Sequence, residues 1–218
     1  MPLADYIGRY WTGAEVMYGV IIAMTFTSVL RGYPEMLEFV VQRVVFAALF
    51  CCIAWGIADG MFYIWERSYL IRQENRIIES SRSPGQRAAA LSLIGEQFDD
   101  TVLRNIPDDD RVRLYKRLSQ FLAGVKTREK ISPRDAATIL FGTFLLSAGA
   151  GTIVVLPFFF IDDAGQALIV SNLAGILLLF GIGYTRTRDR NILSRVLHGF
   201  GSSFIGIIIA VITVALGG

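Results

Sequence analysis

Two acidic residues lie within otherwise apolar stretches of this chain, and they are the strongest candidates for chemistry. Asp59 is the only charged residue between Val44 and Trp65, and Glu15 lies near the start of the apolar stretch Gly13–Leu30. An acidic side chain near the middle of a membrane helix costs roughly 2.5 to 3.5 kcal/mol, so it normally faces a polar pathway, a partner charge or a cation. The two acids therefore predict an intramembrane site for a cation or a proton.

The two carboxyl groups are expected at similar depth, on antiparallel helices joined by a short turn at Gly32 to Pro34. Two acids at short range repel each other unless a cation or a proton sits between them, so cation and proton would compete for the site. A second interpretation stays open, in which Glu15 extends to the membrane interface and Asp59 pairs with an arginine. Gly56 and Gly60 flank Asp59 and would let another helix approach the same turn.

Further side chains are candidates for a transport pathway or a metal site. Thioether sulfur favours a transition metal such as Fe(II) or Mn(II) over Mg or Ca. Glu96, Asp99 and Asp100 have the helical spacing that could place two oxygens on one hard cation, although such spacing is common by chance and a solvated helix face is the preferred interpretation. The soft or polar candidates for the pathway are Met17, Met24, Thr25, Thr27 and Asn172.

The elements that must position these residues are membrane helices. With 53% hydrophobic residues and 21 glycines among 218, the composition is typical of a polytopic membrane protein. The expected fold is an all-α membrane protein with five transmembrane helices. The five predicted spans are Gly13–Leu30, Val44–Trp65, Ala136–Ile161 with a break near Pro157, Gly165–Tyr184 and Val196–Gly218.

The segment between the second and third spans is the only sizeable polar part of the chain. Its periodicity predicts a cytoplasmic helical hairpin built from helices at Arg67–Ser81, Gln86–Arg104 and Asp108–Lys126. The predicted domain division is 1–65 for the lead-in and spans one and two, 66–134 for the cytoplasmic segment, and 135–218 for spans three to five.

The basic residues predict the orientation of the chain. Of the 21 Lys and Arg, only Arg31 and Arg43 fall on the side opposite to Arg9, the middle segment and the loop that carries Arg186, Arg188 and Arg190. By the positive-inside rule the N-terminus is cytoplasmic and the C-terminus is outside. We also expect the protein in a bacterial inner membrane. The basic residues are not interleaved with aromatic residues, so the sequence does not indicate nucleic-acid binding.

The sequence predicts no enzyme and no permanently bound cofactor. His198 lies too close to Ser202 and Ser203 on one helix to form a nucleophile and base pair, and the phosphate, dinucleotide and zinc-protease motifs are absent. Cys51 and Cys52 lie within the second span and are interpreted as small packing residues.

Several motifs together resemble the vacuolar iron transporter (VIT) family, and more closely a bacterial VIT-like group of membrane proteins. They are GAEVMYG and TFTS in the first span, AWGIADG in the second, VVLPFFFIDDAGQALIVSN across the third and fourth, and the ending VALGG. The resemblance implies a dimer whose first spans line the pathway, and export of a divalent metal from the cytoplasm in exchange for protons. It also implies a Glu-rich cytoplasmic region that collects the metal.

The chain departs from the family pattern at the residues that carry charge. The family's first-span Asp-Gly step falls on Tyr18 and Gly19, which leaves Glu15 as the nearest acid, and its second-span Met and Glu region offers only Asp59. The Glu pairs of the cytoplasmic region are not kept. The leading hypothesis is a dimeric transporter of iron or manganese with proton coupling, and the alternative is a non-transporting scaffold or sensor that acts through its cytoplasmic helices.

Overall fold

The computed structural model describes residues 3–32, 37–187 and 191–215. Within these ranges the chain is helical and contains no strand, so the all-α fold expected from the sequence is confirmed there. The helices are α1 (Leu3–Val29), α2 (Leu37–Arg82), α3 (Arg87–Phe98), α4 (Asp108–Leu122), α5 (Pro133–Val155), α6 (Ala164–Arg186) and α7 (Ile192–Ala215).

Four helices of the described part, α1, α2, α5 and α6, are long and apolar enough to cross a membrane. In α7 the apolar stretch over which side chains are described, Ile192–Ile208, is shorter than a full crossing. A fifth span therefore stays a prediction. The turn at Pro34, Arg188 and Arg190, and the last residues of the VALGG ending, 216–218, lie outside the described residues.

The chain forms two compact units, one made of residues 1–63 and 133–218 and the other of residues 64–132. Small and branched apolar side chains fill the core of the first unit; they are Val20, Ala23, Met24, Val45, Ala48, Cys52, Ala150, Val154, Val155 and Leu179. The core of the second unit is built around Ile77, Ile94 and Tyr115. The cytoplasmic location of the second unit stays a prediction.

Close packing of α5 on α2 organises the first unit around the acidic turn. A Cβ added at Gly60 would lie 2.5 Å from Thr143 Oγ1 and 2.9 Å from Leu140 Cα, and one added at Gly56 would lie 2.9 Å from Phe144 Cα. Because such distances are shorter than any ordinary contact, only glycine allows this approach. The helix that the sequence predicted to approach the Asp59 turn is thus α5.

Regular helix is interrupted at two places in the first unit, near the start of α1 and at the end of α5. Gly8 interrupts α1 with φ 82° and ψ 153°, a backbone conformation that a residue with a side chain rarely adopts. The turn before it is tied to α5, since Tyr6 Oη donates to Asp135 Oδ1 at 2.5 Å. The helix α5 ends at Val155 and a 3₁₀ turn through Pro157 follows, so the break predicted near Pro157 is present.

In the second unit two predicted helices end earlier than their periodicity indicated. The helix expected to reach Arg104 ends at Phe98. Thr101 explains the stop, because its hydroxyl donates to the Phe98 carbonyl at 2.6 Å and accepts from the Leu103 amide at 3.3 Å, which starts a separate 3₁₀ turn. The helix expected to reach Lys126 ends at Leu122.

Candidate functional site

Glu15 lies inside the first unit, where α1 meets α2, and none of its surface is exposed. One carboxyl oxygen, Oε1, accepts a hydrogen bond of 2.8 Å from the hydroxyl of Tyr63 on α2. The other, Oε2, is buried and makes no hydrogen bond within the part of the chain that the structure describes. The side chain therefore points into the helix bundle, and the interpretation in which it extends to the interface is not what the structure shows.

Asp59 precedes Tyr63 by one helical turn on α2 and is partly exposed. Its carboxyl group is close enough to interact with the side chains of Glu15 and Trp55. The structure thus brings the two predicted acids together. None of the ion pairs observed between described residues includes Glu15 or Asp59, so neither acid has an arginine or lysine partner within the ranges 3–32, 37–187 and 191–215.

Hydrogen bonds between helices hold the backbone around the acid pair. The hydroxyl of Ser147 on α5 donates to the Cys52 carbonyl on α2 at 3.0 Å, and the Cys52 thiol in turn lies 3.4 Å from the Gly19 carbonyl on α1. Thr143, one turn before Ser147, is also fully buried and donates to carbonyls of its own helix. These contacts fix the three helices relative to one another at the level of the acids.

Reasoning from the sequence missed the side chains that contact the acids, Tyr63 and Trp55. It also missed Thr143 and Ser147, which lie on the face of α5 that packs against the glycines flanking Asp59. The spacing of Tyr63, four residues after Asp59, does place the two on one helix face. That spacing alone could not show that Tyr63 reaches across to Glu15. The two hydroxyl residues of α5 carry no local signal, because serine and threonine in membrane helices commonly bond to their own backbone.

Thr25 is the predicted pathway residue that shares a groove with a neighbour of the acid pair, although it lies about 15 Å from Glu15 along α1. It lines a groove of about 240 Å³ on the α1–α2 face, together with Tyr18, Cys51 and Trp55. Since Trp55 also reaches Asp59, this groove adjoins the acidic site.

The remaining predicted pathway residues lie elsewhere in the first unit. Met24 and Asn172 line a separate cavity of about 420 Å³ with Ser28 and Arg31. Met17 accepts a hydrogen bond on sulfur from Arg186 at 3.3 Å. The Thr27 hydroxyl is used by carbonyls of its own helix at 3.0 and 3.3 Å. The arrangement thus separates the methionine sulfurs from the acid pair.

The three acidic residues of the second unit that were predicted as cation ligands do not all lie within one helix. Because α3 ends at Phe98, Asp99 is its C-cap residue and Asp100 follows in a turn. Asp99 accepts a hydrogen bond of 2.9 Å from Tyr115 and lies 3.6 Å from the Arg111 guanidinium, while Glu96 lies 3.5 Å from the Ser92 hydroxyl. Desolvation and then the bond to Asp99 raise the pKa of Tyr115.

Chemically, the intramembrane site offers two carboxyl groups and one phenol in a bundle of apolar helices. Such a pair can share a proton or coordinate one cation through carboxylate oxygens. No group of three or more His, Cys, Asp or Glu able to hold a metal occurs in the ranges 3–32, 37–187 and 191–215.

Comparison with known proteins gives one match. A model of the VIT family matches residues 79–218, which is more than half of the chain. The matched segment begins within α2 beyond the acid pair, so Glu15 and Asp59 lie outside it. No curated protein matches the chain.

Proposed function

The chain belongs to the VIT family, and on this premise we propose that it transports a divalent transition-metal cation, iron or manganese, in exchange for protons. Its long apolar helices together with the family assignment make it an integral membrane protein. The family assignment supports metal-ion transport as the general activity. The acid pair supports binding of a cation and its coupling to protons.

The observation that carries the proposal is the complete burial of Glu15 beside Asp59. Each acid by itself costs a few kcal/mol in a membrane helix. A partner that neutralises the carboxyl group offsets this cost. A cation or a proton shared by Glu15 and Asp59 would neutralise both acids at once. The unbonded Oε2 of Glu15 supplies an oxygen for that partner.

Proton exchange follows from the same geometry. When a cation leaves, two carboxylates would remain at short range in a medium of low dielectric constant, where their repulsion is strong. Uptake of a proton removes that repulsion. Release of the metal is thereby linked to binding of a proton, and the reverse holds when the next cation arrives.

A homodimer is the assembly that best completes the pathway. The groove beside the acid pair, lined by Tyr18, Thr25 and Trp55, opens on the outer face of α1 and α2. Most of the apolar surface of α2 is not covered by its own chain, so lipid or a second copy must cover it. The groove is largely apolar, since Ile21, Ile22 and Phe26 also line it, so a second copy placed here would cover an apolar surface and bring the first spans of the two subunits together beside the acid pair.

The proposal is tested by ion flux into liposomes that contain the purified protein. Uptake of Fe(II), Mn(II) and Mg(II) is measured for the wild type and for Glu15→Gln and Asp59→Asn, with internal pH followed in parallel. Each variant should reduce Fe(II) or Mn(II) flux about tenfold or more, because neutral isosteres keep the packing but lose a cation ligand.

Matched controls separate the site from a general effect of removing charge. Glu38→Gln in the first turn of α2 and Asp162→Asn between α5 and α6 make the same chemical changes at exposed positions, and both should leave flux unchanged. Normal flux in a folded Asp59→Asn protein would contradict the proposal.

The alternative function is a scaffold or sensor that acts through the second unit. A cavity of about 330 Å³ in that unit favours it, because its lining is largely apolar and includes Ile77, Ile94 and Leu118. Such a protein would tolerate Asp59→Asn and would show no ion flux in any liposome. The same flux experiment therefore distinguishes the two functions.

A further inference from the structure

A third cavity of the first unit is a cleft between the start of α1, on both sides of the Gly8 kink, and the end of α6. Its volume is about 570 Å³. The charged residues that line it within the ranges 3–32, 37–187 and 191–215 are two arginines, Arg9 and Arg186, and none of the described lining residues is acidic. The lining consists of Ala4, Arg9, Tyr10, Thr12, Gly13, Val16, Ile182, Thr185 and Arg186.

Arg186 is held in this cleft by groups that leave its charge uncompensated. Its guanidinium carbon lies 3.6 Å from the centre of the Tyr10 ring, and Nη1 donates to the Met17 sulfur at 3.3 Å. Nη2 is buried and makes no hydrogen bond to any described residue. None of the ion pairs found in the described ranges includes Arg186. Arg186 as a residue is only partly buried, but a buried and unbonded guanidinium nitrogen is normally matched by a carboxylate or a phosphate, to which the fork of donors is suited.

The neutral polar groups of the cleft do not take that role. The Thr12 hydroxyl donates to the Gly8 carbonyl at 2.9 Å, and the Thr185 hydroxyl donates to the Gly181 and Ile182 carbonyls. Both hydroxyls are thus engaged with their own helices. Recognition in this cleft would come from the two guanidinium groups, which select an anion.

The surroundings indicate an anion that carries apolar chains. Val16 and Ile182 line the same cleft as the two arginines, and Tyr10 and Trp11 beside it are 64% and 43% exposed. Tyrosine and tryptophan are enriched where a membrane helix meets the lipid headgroups, and basic pockets between membrane helices bind lipid phosphates. We propose that this cleft binds the phosphate group of an anionic phospholipid through Arg9 and Arg186.

The test measures lipid binding to the full-length protein by native mass spectrometry. Phosphatidylglycerol is titrated in parallel with phosphatidylcholine and with inorganic phosphate. Wild type should bind phosphatidylglycerol more tightly than phosphatidylcholine, and inorganic phosphate at equal concentration should not displace it. Arg9→Gln and Arg186→Gln should each weaken phosphatidylglycerol binding about fivefold, the effect of removing one basic residue from an anionic lipid surface.

Arg195→Gln is the matched control, because Arg195 lies at the same end of the unit but rests on Tyr184, with its guanidinium 4.1 Å from that ring, outside the cleft. It should leave phosphatidylglycerol binding unchanged. If Arg186→Gln does not fold, the proposal is tested with Arg9→Gln, which should weaken phosphatidylglycerol binding, and with Arg186→Lys, which keeps the charge and should retain it. Equal affinity for the two lipids, an equal loss in Arg195→Gln, or arginine-dependent binding of inorganic phosphate alone would each overturn the proposal.

Discussion

Substitution of Gly60 by alanine would add a methyl group where α2 meets α5. That methyl carbon would lie 2.5 Å from Thr143 Oγ1 and 2.9 Å from Leu140 Cα, whereas ordinary contact begins near 3.4 Å. It must therefore gain about 0.9 Å from the first atom and about 0.5 Å from the second. The Thr143 hydroxyl is bonded to carbonyls of its own helix and Leu140 Cα belongs to the backbone, so the two helices themselves must separate.

The expected loss of stability is about 2 kcal/mol, because overpacking a well-packed interior by one methyl group typically costs 1 to 3 kcal/mol. Separation of α2 from α5 also displaces the neighbouring Asp59 relative to Glu15. Ion flux should therefore decrease in Gly60→Ala even at temperatures where the protein remains folded.

The free energy of unfolding of Gly60→Ala is measured in detergent by denaturant or heat, with Gly149→Ala as the control. Gly149 is also within a membrane helix, but a Cβ added there meets no atom within 4 Å, so alanine should be neutral or stabilising by up to about 1 kcal/mol. The double variant Gly60→Ala with Thr143→Ala removes the nearer obstacle and keeps Leu140 Cα, and it should recover part of the loss. Equal stability of Gly60→Ala and Gly149→Ala would refute the close approach of α5 to the acidic turn.

Three further predictions concern the site, the fold and the orientation. Tyr63→Phe should lower flux without abolishing it, because Oε1 of Glu15 loses its donor while both acids remain; flux equal to the wild type would contradict this role. Asp163→Ala should destabilise the protein by about 1 kcal/mol in unfolding experiments, since Asp163 caps α6 by accepting from the Gln166 amide at 2.6 Å; an unchanged unfolding midpoint would argue against the cap. Single cysteines at Ser83 and Asp162 should react with impermeant reagents from the cytoplasmic and the outer side, respectively, and the opposite pattern would reverse the topology.

Part of the candidate site could be predicted from the sequence because an acid in an apolar stretch is visible locally. The carboxyl groups of Glu15 and Asp59 stand out against their neighbours, and helical geometry places them at similar depth once two adjacent antiparallel spans are recognised. The pathway methionines were chosen by residue type alone. Residue type does not show which side of a helix meets which neighbour. In the structure Met17 lies against Arg186, and Met24 lines a cavity away from the acid pair.

The sequence by itself determined that this chain is helical, that most of it suits a membrane, and that two acids interrupt the apolar surface, because hydropathy and helix length depend on neighbouring residues. Only the tertiary structure decided that Tyr63 bonds Glu15 across 48 positions, that α5 fills the glycine face of α2, and that Arg186 reaches Met17 across 169 positions. These contacts depend on how the helices rotate about their axes as they pack. That rotation is set by the fit of side chains across the whole bundle and leaves no local pattern in the chain.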